Sequence, residues 1–413
     1  MKTVVLMYEH ISREYETCMR IRDQLDGKGN LDVRVLSIHF QIAELYRIAN
    51  SKIIDLLALP YVYKEKSMID ILGLLKRGRI RAVFNFRHEQ IGATYNEHRF
   101  YPQDDFTKNR IYHLAWSSEY KKMMVERGIC ENNIVIAQNP RSDLVLSAMN
   151  DISESRLSVA ERYGLDEQKK WLLICESGEP RSEARINTLV NQGYSSDDLE
   201  KYNRFTARDI KEMENQLNSL PADFLSEYDV IYRPHPGTNA IISLNSEIKV
   251  IGSESIYFWL RYVESVLSRQ STVLFEAQAK GIKVFRFCPF PVPERFITYG
   301  LEKMPSISSI RDIAYVRDYA NECRYEDYIG IVDGHAVERL SSALAKLAED
   351  GEFFFSDYVP KHGLHYRKAA LRSILSNIFS HIAYITGIHF LKKLSKPLTI
   401  LGRDIPPEWK RGQ

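Results

Sequence analysis

The sequence predicts an α/β protein with two parallel-sheet domains, and three observations support this fold class. The chain has 413 residues, which is too long for one ordinary core and enough for two domains of about 150–200 residues each. Short apolar runs alternate with longer amphipathic segments, the order that parallel strands and their crossover helices produce. Hydrophobic residues make up 44% and charged residues 27%, which is ordinary for a soluble globular protein.

Composition also argues against several classes of protein. A formal net charge of +2 is too small to indicate a nucleic acid partner. The opening MKTVVLMYEH has an apolar run too short for a signal peptide, and no stretch of about 18 apolar residues predicts a transmembrane helix. The cysteines are odd in number and widely spaced, without C-x-x-C, which favours a reduced cytoplasmic protein with no disulfide framework or zinc site. They are Cys18, Cys130, Cys175, Cys288 and Cys323.

The first domain is predicted over residues 1–150, with a helical pattern from Glu14 to Leu25 after its first strand. Six apolar runs are its candidate strands. They are Thr3–Tyr8, Asp32–Ile38, Ile53–Tyr61, Arg81–Phe86, Tyr112–Ser118 and Ile134–Pro140.

The second domain is predicted over residues 151–360, and a helical tail over 361–413 follows it. A long polar stretch at 178–222 predicts a helix and a loop. Five further apolar runs are the candidate strands of this domain. They are Trp171–Ser177, Asp229–His235, Lys249–Ser253, Val263–Arg269 and Lys283–Pro289.

The residues that follow each strand are the candidate site, because ligands of open α/β sheets bind beyond the carboxyl ends of the strands. Arg233 and His235 directly follow the run DVIY, and a proline stands on each side of the histidine. Proline fixes φ, so it holds an imidazole in an extended segment where it can meet phosphate oxygens beside the arginine. The alternative is an X-Pro loop with a capping histidine.

A second candidate segment follows the run Val263–Arg269. Ser271 and Thr272 stand at a predicted helix start, where free N–H groups and the helix dipole favour an anion. Glu276 stands one turn inside that helix, where it can accept from ribose hydroxyls. The alternatives are ordinary N-cap hydroxyls and a solvated glutamate.

These motifs carry a resemblance to a known group of enzymes. R-P-H-P, followed about thirty-five residues later by S-T-x-x-x-E-A-x-x-x-G, resembles the C-terminal half of bacterial surface-carbohydrate biosynthesis proteins. That group includes polysialyltransferases, Kdo transferases and CDP-glycerol glycerophosphotransferases. The resemblance implies a GT-B-like fold, in which two Rossmann-like domains face a central cleft, and it implies that His235, Ser271 and Thr272 hold the phosphate of a CMP- or CDP-activated donor.

The first half resembles the same group in three shorter segments. LMYEHISREYE (Leu6–Glu16) is similar to its first strand and the E-x-x-x-R-E that follows. FRHEQIG (Phe86–Gly92) is similar to an internal His-Glu-Gln segment. QNPRSDL (Gln138–Leu144) is similar to a G-N-P-R-x-D element, with glutamine in place of the glycine.

Glycosyl transfer needs a base on the acceptor side and stabilisation of the departing phosphate. The first-domain candidates for the base are Glu89 and Glu9, then Glu14, with His88 and His10 as the imidazoles nearby. Arg13 is a candidate for binding an acidic group of donor or acceptor; its alternative is a pair with Glu14 at the first helix.

The sequence contains no D-x-D motif, which favours a metal-independent enzyme without a cofactor. The tail at 365–396 is apolar with basic residues at both ends. It predicts either a peripheral membrane helix, at the inner face of the cytoplasmic membrane, or a helix packing back on the first domain.

The first hypothesis for function is a cytoplasmic glycosyltransferase of capsule or lipopolysaccharide O-antigen biosynthesis. It moves a sugar, most simply a CMP-activated ulosonic acid, from a nucleotide-activated donor to a glycan or lipid-linked acceptor. Three alternatives stay open: a CDP-polyol phosphotransferase, a UDP-sugar 2-epimerase, and a non-catalytic nucleotide-sugar-binding subunit.

Overall fold

The structure is a computed structural model, and the residues it describes divide into two compact units. The first unit is Met1–Gln90, His98–Leu144 and Val332–Gln413, and the second is Ile91–Glu97 and Val145–Ile331. The described residues are 1–27, 29–65, 68, 78–151, 153–178, 180–191, 193–235, 242–316, 322–351, 371, 374, 375, 378, 379, 382 and 405–407, without the side chains of Ser12, Arg13 and Arg99.

The first unit is built on a six-stranded parallel sheet in the order β2-β1-β3-β4-β5-β6. Its inner strands are buried almost throughout, as expected for parallel strands covered on both faces. The strands are β1 (Lys2–Tyr8), β2 (Leu31–Ser37), β3 (Ile54–Leu59), β4 (Ile80–Asn85), β5 (Tyr112–Ala115) and β6 (Ile134–Ile136). All six candidate strands of the first half are therefore present.

The second unit is built on another six-stranded parallel sheet, in the order β12-β11-β10-β7-β8-β9. The strands are β7 (Lys170–Cys175), β8 (Tyr228–Arg233), β9 (Lys249–Val250), β10 (Ser265–Ser268), β11 (Lys283–Phe287) and β12 (Ser306–Ile307). The chain runs outward from β7 to one edge and then from β10 to the other, so the strand order reverses between β7 and β10. The α/β class and the two parallel sheets that the sequence predicts are confirmed, with β12 as an additional short strand.

Helices connect the strands in both units. Serine side chains cap four of them: Ser117, Ser155, Ser195 and Ser255 accept from backbone N–H groups of the first turn. The helices are α1 (Glu16–Asp26), α2 (Ile42–Ser51), α3 (Asp105–Asn109), α4 (Ser118–Glu126), α5 (Arg141–Met149), α6 (Arg156–Tyr163), α7 (Glu183–Asn191), α8 (Ser196–Asn218), α9 (Ala222–Glu227), α10 (Ile256–Trp259), α11 (Val273–Ala279), α12 (Glu326–Ile329) and α13 (Ala336–Asp350). The polar stretch at 178–222 thus holds α7 and the 23-residue α8.

The chain returns to the first unit with α13, which packs against α1 and contacts β1 and β3. The carboxylate of Asp143 accepts from Ala336 N (3.1 Å) and Val337 N (2.8 Å), so it caps this helix. Asp143 belongs to the QNPRSDL segment, and that segment therefore closes the first unit. Residues 332–351, which the sequence-based division gives to the second domain, cluster with the first unit.

The predicted tail at 361–413 lies for the most part outside the described residues. Within the residues that the structure describes, no helix is both long enough and apolar enough to cross a membrane.

Candidate functional site

The reversal point of the second sheet brings three strand ends into one row. In the register of the sheet, Cys175 at the end of β7 is level with Arg233 of β8 on one side and with Ser268 of β10 on the other. Adjacent strands lie about 4.8 Å apart, so the backbones of Arg233 and Ser268 are separated by about 10 Å. Ligands of doubly wound sheets bind at such a point, and the residues that follow these strands are therefore the candidate nucleotide-binding edge.

The two loops at this edge are held together by serine hydroxyls. The Ser177 and Ser268 hydroxyl oxygens lie 2.8 Å apart, and the Ser268 hydroxyl donates to the carbonyl oxygen of Cys175 at 2.6 Å. The backbone N–H of Gln270 donates to the Ser177 hydroxyl at 2.9 Å. This network fixes the start of the segment that leads to Ser271 and Thr272, both of which are half-buried.

Ser271 and Thr272 lie at the start of α11, as the sequence predicts. The Ser271 hydroxyl accepts from Val273 N at 3.3 Å, so it makes a local turn contact. The side chain of Thr272 makes no capping hydrogen bond. Glu276, in the first turn of this helix, is half-buried.

Arg233 and His235 lie at the end of β8. The Arg233 guanidinium donates through Nε and Nη2 to the carbonyl oxygen of Glu254, at 3.2 and 3.1 Å, so the side chain is bonded to the segment that follows β9. His235 is exposed, and the residues that follow it in the motif lie outside the described part of the chain.

Charges on both sides of the row affect the pKa of the buried Cys175 thiol. Burial raises the pKa of Cys175 to about 12, the Arg233 cation lowers it, and the Glu276 carboxylate raises it. Arg233 and Glu276 are thus both close enough to the end of β7 to act on one atom.

One further acidic side chain at this edge was missed from the sequence. Glu176 directly follows β7 and is buried, and the hydroxyl of Tyr232 donates to its Oε2 at 2.6 Å. Burial, with this bond to a carboxylate, raises the pKa of Tyr232. A glutamate directly after a run as apolar as WLLIC is the signal that could have identified it.

The corresponding edge of the first sheet gathers ionisable groups around Glu9, which follows β1. The Glu9 carboxylate lies between two imidazoles: its Oε2 is 3.7 Å from His10 Nε2, and its Oε1 is 3.7 Å from His39 Nε2. Burial, with a further contribution from Glu9, raises the pKa of Tyr61, which follows β3. Glu9 keeps about a quarter of its side chain exposed (24%), so it combines solvent access with two adjacent proton carriers.

Glu14 has a local hydrogen-bonding role at this edge. Its side chain is buried, and its Oε2 accepts from the backbone N–H groups of Glu9 (2.5 Å) and His10 (3.2 Å). These bonds hold the turn between β1 and α1, which forms a short π-helical segment at Ile11–Tyr15. Turns of this kind often occur at functional sites because they displace side chains from the regular helical positions.

His88 and Glu89 follow β4 in the same sheet. Glu89 is exposed, whereas His88 is buried and stacks on Phe86 with ring centroids 5.3 Å apart. Gln90 fastens this segment to the end of β5: its amide donates to Leu114 O at 2.9 Å, and its Oε1 accepts from Trp116 N at 2.9 Å. The side chain of Arg13 is outside the described part, so its role with an acidic group stays a prediction.

In the part of the chain that the structure describes, no three His, Cys, Asp or Glu side chains form a group that could hold a metal ion.

Comparison with known proteins identifies similar folds. No family model matches the chain, and no curated protein matches its sequence. A UDP-GlcNAc 2-epimerase structure from Methanocaldococcus jannaschii is similar over 84% of this chain and 99% of its own, with 13% identity and a TM-score of 0.50. One from Neisseria meningitidis, bound to UDP-GlcNAc, is similar over 84% and 100%, with 12% identity and a TM-score of 0.52.

The wall teichoic acid polymerase TagF is also similar. Its structure matches over 84% of this chain and 89% of its own, with 12% identity and a TM-score of 0.50, and the same values hold for a crystal soaked with CDPG. At such low identity the likeness shows the fold alone. The chain therefore has a GT-B-like fold with two Rossmann-like units.

Proposed function

We propose that this chain is a nucleotide-sugar-dependent glycosyltransferase of cell-surface polysaccharide biosynthesis. In this proposal the second unit binds the nucleotide of the donor, and the first unit supplies the base that activates the acceptor. The donor we favour is a CMP-activated ulosonic acid, and the product is a capsule or O-antigen glycan. The observation that carries the proposal is the row Arg233, Cys175 and Ser268 at the reversal point of the second sheet.

Donor binding follows from the chemistry of that edge. Arg233 and His235 offer N–H donors to a phosphate, and the hydroxyls of Ser271 and Thr272 offer further donors from the other side of β7. Glu276 accepts from ribose hydroxyls. The bonds around Ser177 hold the loop before a ligand arrives, which lowers the entropic cost of binding.

Transfer then requires that a proton moves from the acceptor hydroxyl to the base and that CMP departs from the sugar. The base takes the proton from an acceptor hydroxyl, the hydroxyl oxygen bonds to the anomeric carbon, and the bond from that carbon to the phosphate oxygen breaks. CMP leaves with the electron pair, and Arg233 and His235 stabilise its charge. Glu9 and Glu89 are the two candidates for the base. The imidazoles beside Glu9 favour it, because a histidine can pass the proton on to water.

The partners of the proposed enzyme are an activated donor and a glycan or lipid-linked acceptor, with no nucleic acid and no bound cofactor or metal. A cytoplasmic location follows from the use of a nucleotide-activated donor. A lipid-linked acceptor would bring the enzyme to the inner face of the cytoplasmic membrane.

Two other reactions are known for proteins that share this fold. One alternative is a CDP-polyol phosphotransferase, which would release CMP while forming a phosphodiester; the fold is shared with TagF. The other is an epimerase, which would convert a UDP-sugar with no acceptor present; the fold is shared with UDP-GlcNAc 2-epimerases.

Thermal unfolding with CMP, CDP, UMP, UDP and GDP separates these reactions at the level of the nucleotide. A ligand at 100 times its dissociation constant stabilises by about 2.7 kcal/mol, which is readily measured. We expect a shift with cytidine nucleotides that is lost in His235→Ala. A shift with uridine nucleotides alone would overturn the CMP-donor proposal and favour the epimerase. Mass analysis of the product then distinguishes a glycosidic bond from a phosphodiester.

A further inference from the structure

Among the described residues of the first unit, Arg87 is the most deeply buried charged side chain that the proposed reaction does not use. It stands two residues beyond the end of β4, and only 1% of it is exposed. All three of its guanidinium nitrogens lack a hydrogen-bond partner. Its neighbours are aromatic: the guanidinium carbon lies 5.4 Å from the ring centroid of Tyr101 and 5.5 Å from that of Tyr120.

This arrangement is unfavourable for a residue whose role is only structural. An arginine has five N–H donors and stays charged, so burial without an acceptor leaves a large desolvation cost uncompensated. Contact with two tyrosine faces offsets part of that cost and satisfies none of the donors. The cation also lowers the pKa of the buried His113, although burial of the imidazole is the larger cause.

The backbone at Arg87 is also held in an uncommon conformation. Its φ is +47°, in the left-handed region, and Gln138, beyond the end of β6, is the other non-glycine residue of the described chain with a positive φ (+60°). Such conformations cost free energy and cluster at binding and catalytic sites. Both residues stand at the carboxyl edge of the first sheet, where ligands of this fold class bind.

Two more buried polar atoms at the same edge have no hydrogen-bond partner. One is the indole N–H of Trp116, directly beyond β5, and the other is Oε1 of Gln138. The register of β5 with β6 makes their backbones neighbours, because Ala115 is level with Ile136. A guanidinium and an indole N–H are donors suited to an oxyanion, whereas an amide oxygen is suited to a hydroxyl. A sugar that carries an acidic group presents both an oxyanion and hydroxyl groups.

We propose that Arg87 is the oxyanion-binding residue of the first unit and binds the carboxylate or phosphate of an acidic sugar. The free chain holds the guanidinium against Tyr101 and Tyr120, and the side chain turns from these rings to pair with the anion. The inference rests on the proposed function only in naming a sugar as the molecule that carries the anion. The anion comes either from a carboxylate, as in an ulosonic acid, or from a phosphate group on the acceptor.

The first test needs no ligand. If Arg87 is kept for binding, Arg87→Met removes an unpaired buried charge, so its unfolding midpoint in buffer should equal or exceed that of the wild type. A midpoint lower by several degrees would show a structural role and overturn the proposal. Arg127→Met is the matched control, because Arg127 lies on the same Tyr101 ring, at 4.1 Å, and donates to Met123 O at 3.0 Å. We expect that control to lose stability.

The second test measures anion binding in the His235→Ala background, so that anions bound by His235 in the second unit do not contribute. Inorganic phosphate and free Kdo, a sugar acid, are titrated separately, and a saturable rise of the midpoint by about 3 °C is expected at 100 times the dissociation constant. Arg87→Met should abolish the rise, Arg87→Lys should weaken it at least tenfold in affinity, and Arg127→Met should retain it.

The two anions distinguish the sources. A rise with Kdo alone indicates the carboxylate, and a rise with phosphate alone indicates a phosphate on the acceptor. No rise with either anion, or a rise that persists in Arg87→Met, would overturn the proposal. Because nucleotide binding is measured separately through His235, failure of this inference is distinguishable from failure of the proposed function.

Discussion

The carboxyl edges of the two sheets differ in how their polar groups are satisfied. At the second edge, three of the side chains are already hydrogen-bonded to the protein: Ser177 links Ser268 to Gln270, and Arg233 binds the carbonyl of Glu254. At the first edge, charges stand close together or without hydrogen bonds. Glu9 lies between two imidazoles, and Arg87 has no acceptor.

This difference suggests a division of labour. Loops fixed by hydroxyls and backbone groups bind a ligand with little reorganisation, which suits nucleotide binding. Ionisable groups held near one another suit proton transfer and binding of an acidic group. The comparison therefore predicts that changes at the first edge lower turnover and leave nucleotide binding intact, whereas changes at the second edge lower both.

The largest effect is expected at Glu9. Glu9→Gln removes the carboxylate proposed to accept the proton, so kcat should fall by about 10²–10⁴-fold while the midpoint shift with CMP stays unchanged. Glu89→Gln, which changes an exposed glutamate beyond β4, is the matched variant. Release of CMP in the presence of acceptor measures both. If Glu89→Gln loses turnover instead, the base stands beyond β4 rather than β1.

His235→Ala tests the other edge. It removes one proposed donor to the departing phosphate, so turnover should fall by about 10²–10³-fold. His235 is exposed, so the free energy of unfolding should change by no more than about 0.5 kcal/mol. The shift with CMP should disappear as well. Retained turnover of His235→Ala, with a normal circular dichroism spectrum, would show that this loop does not form the phosphate site.

Much of this fold can be predicted from the sequence, because buried parallel strands are nearly continuous apolar runs. The six runs of the first half and the five of the second all correspond to strands. The strand that was missed, β12, has only two residues, too few to give a pattern. The order of strands is not readable in this way, since it depends on which pairs form in the folded chain.

Some residues of the candidate sites could be identified from the sequence, and others only from the folded chain. Residues that follow a strand were identified at both edges, because that position depends on sequence alone. Arg87 was not identified from the sequence, because its candidacy as a binding residue depends on its surroundings in the folded chain. The rings of Tyr101 and Tyr120 lie beside its guanidinium, which has no hydrogen-bond acceptor. His39 was missed for a related reason, since its contact with Glu9 joins the ends of two different strands.

A smaller effect, on stability, is expected at Glu14. Its buried carboxylate accepts from two backbone N–H groups, so Glu14→Ala leaves both without an acceptor and should cost about 1–3 kcal/mol. Urea unfolding followed by fluorescence measures the change. Glu16→Ala, two residues along and exposed, is the control and should cost less than about 0.5 kcal/mol. Equal stability of the two variants would return Glu14 to the candidates for the base.

The last expected effect is a dependence of stability on pH that comes from the first edge and is absent near neutral pH. His113 is fully buried beside Arg87, and burial, with the arginine cation, lowers its pKa from 6.5 to about 3. Both ring nitrogens are bonded in the neutral form: Nε2 donates to Thr107 O at 2.8 Å, and Nδ1 accepts from the Asn85 amide at 3.3 Å. The folded chain therefore keeps this imidazole neutral between pH 6.5 and 3, where the unfolded chain protonates it.

Because the unfolded state binds the extra proton, stability falls as pH drops through this window, by about 1.4 kcal/mol per unit from this residue. His113→Gln keeps a donor for Thr107 and cannot titrate, so its unfolding free energy should depend less on pH between 6.5 and 4.5. The reference is the wild type, unfolded in the same buffers over the same pH range. An unchanged slope in His113→Gln would show that the acid sensitivity of the fold arises elsewhere.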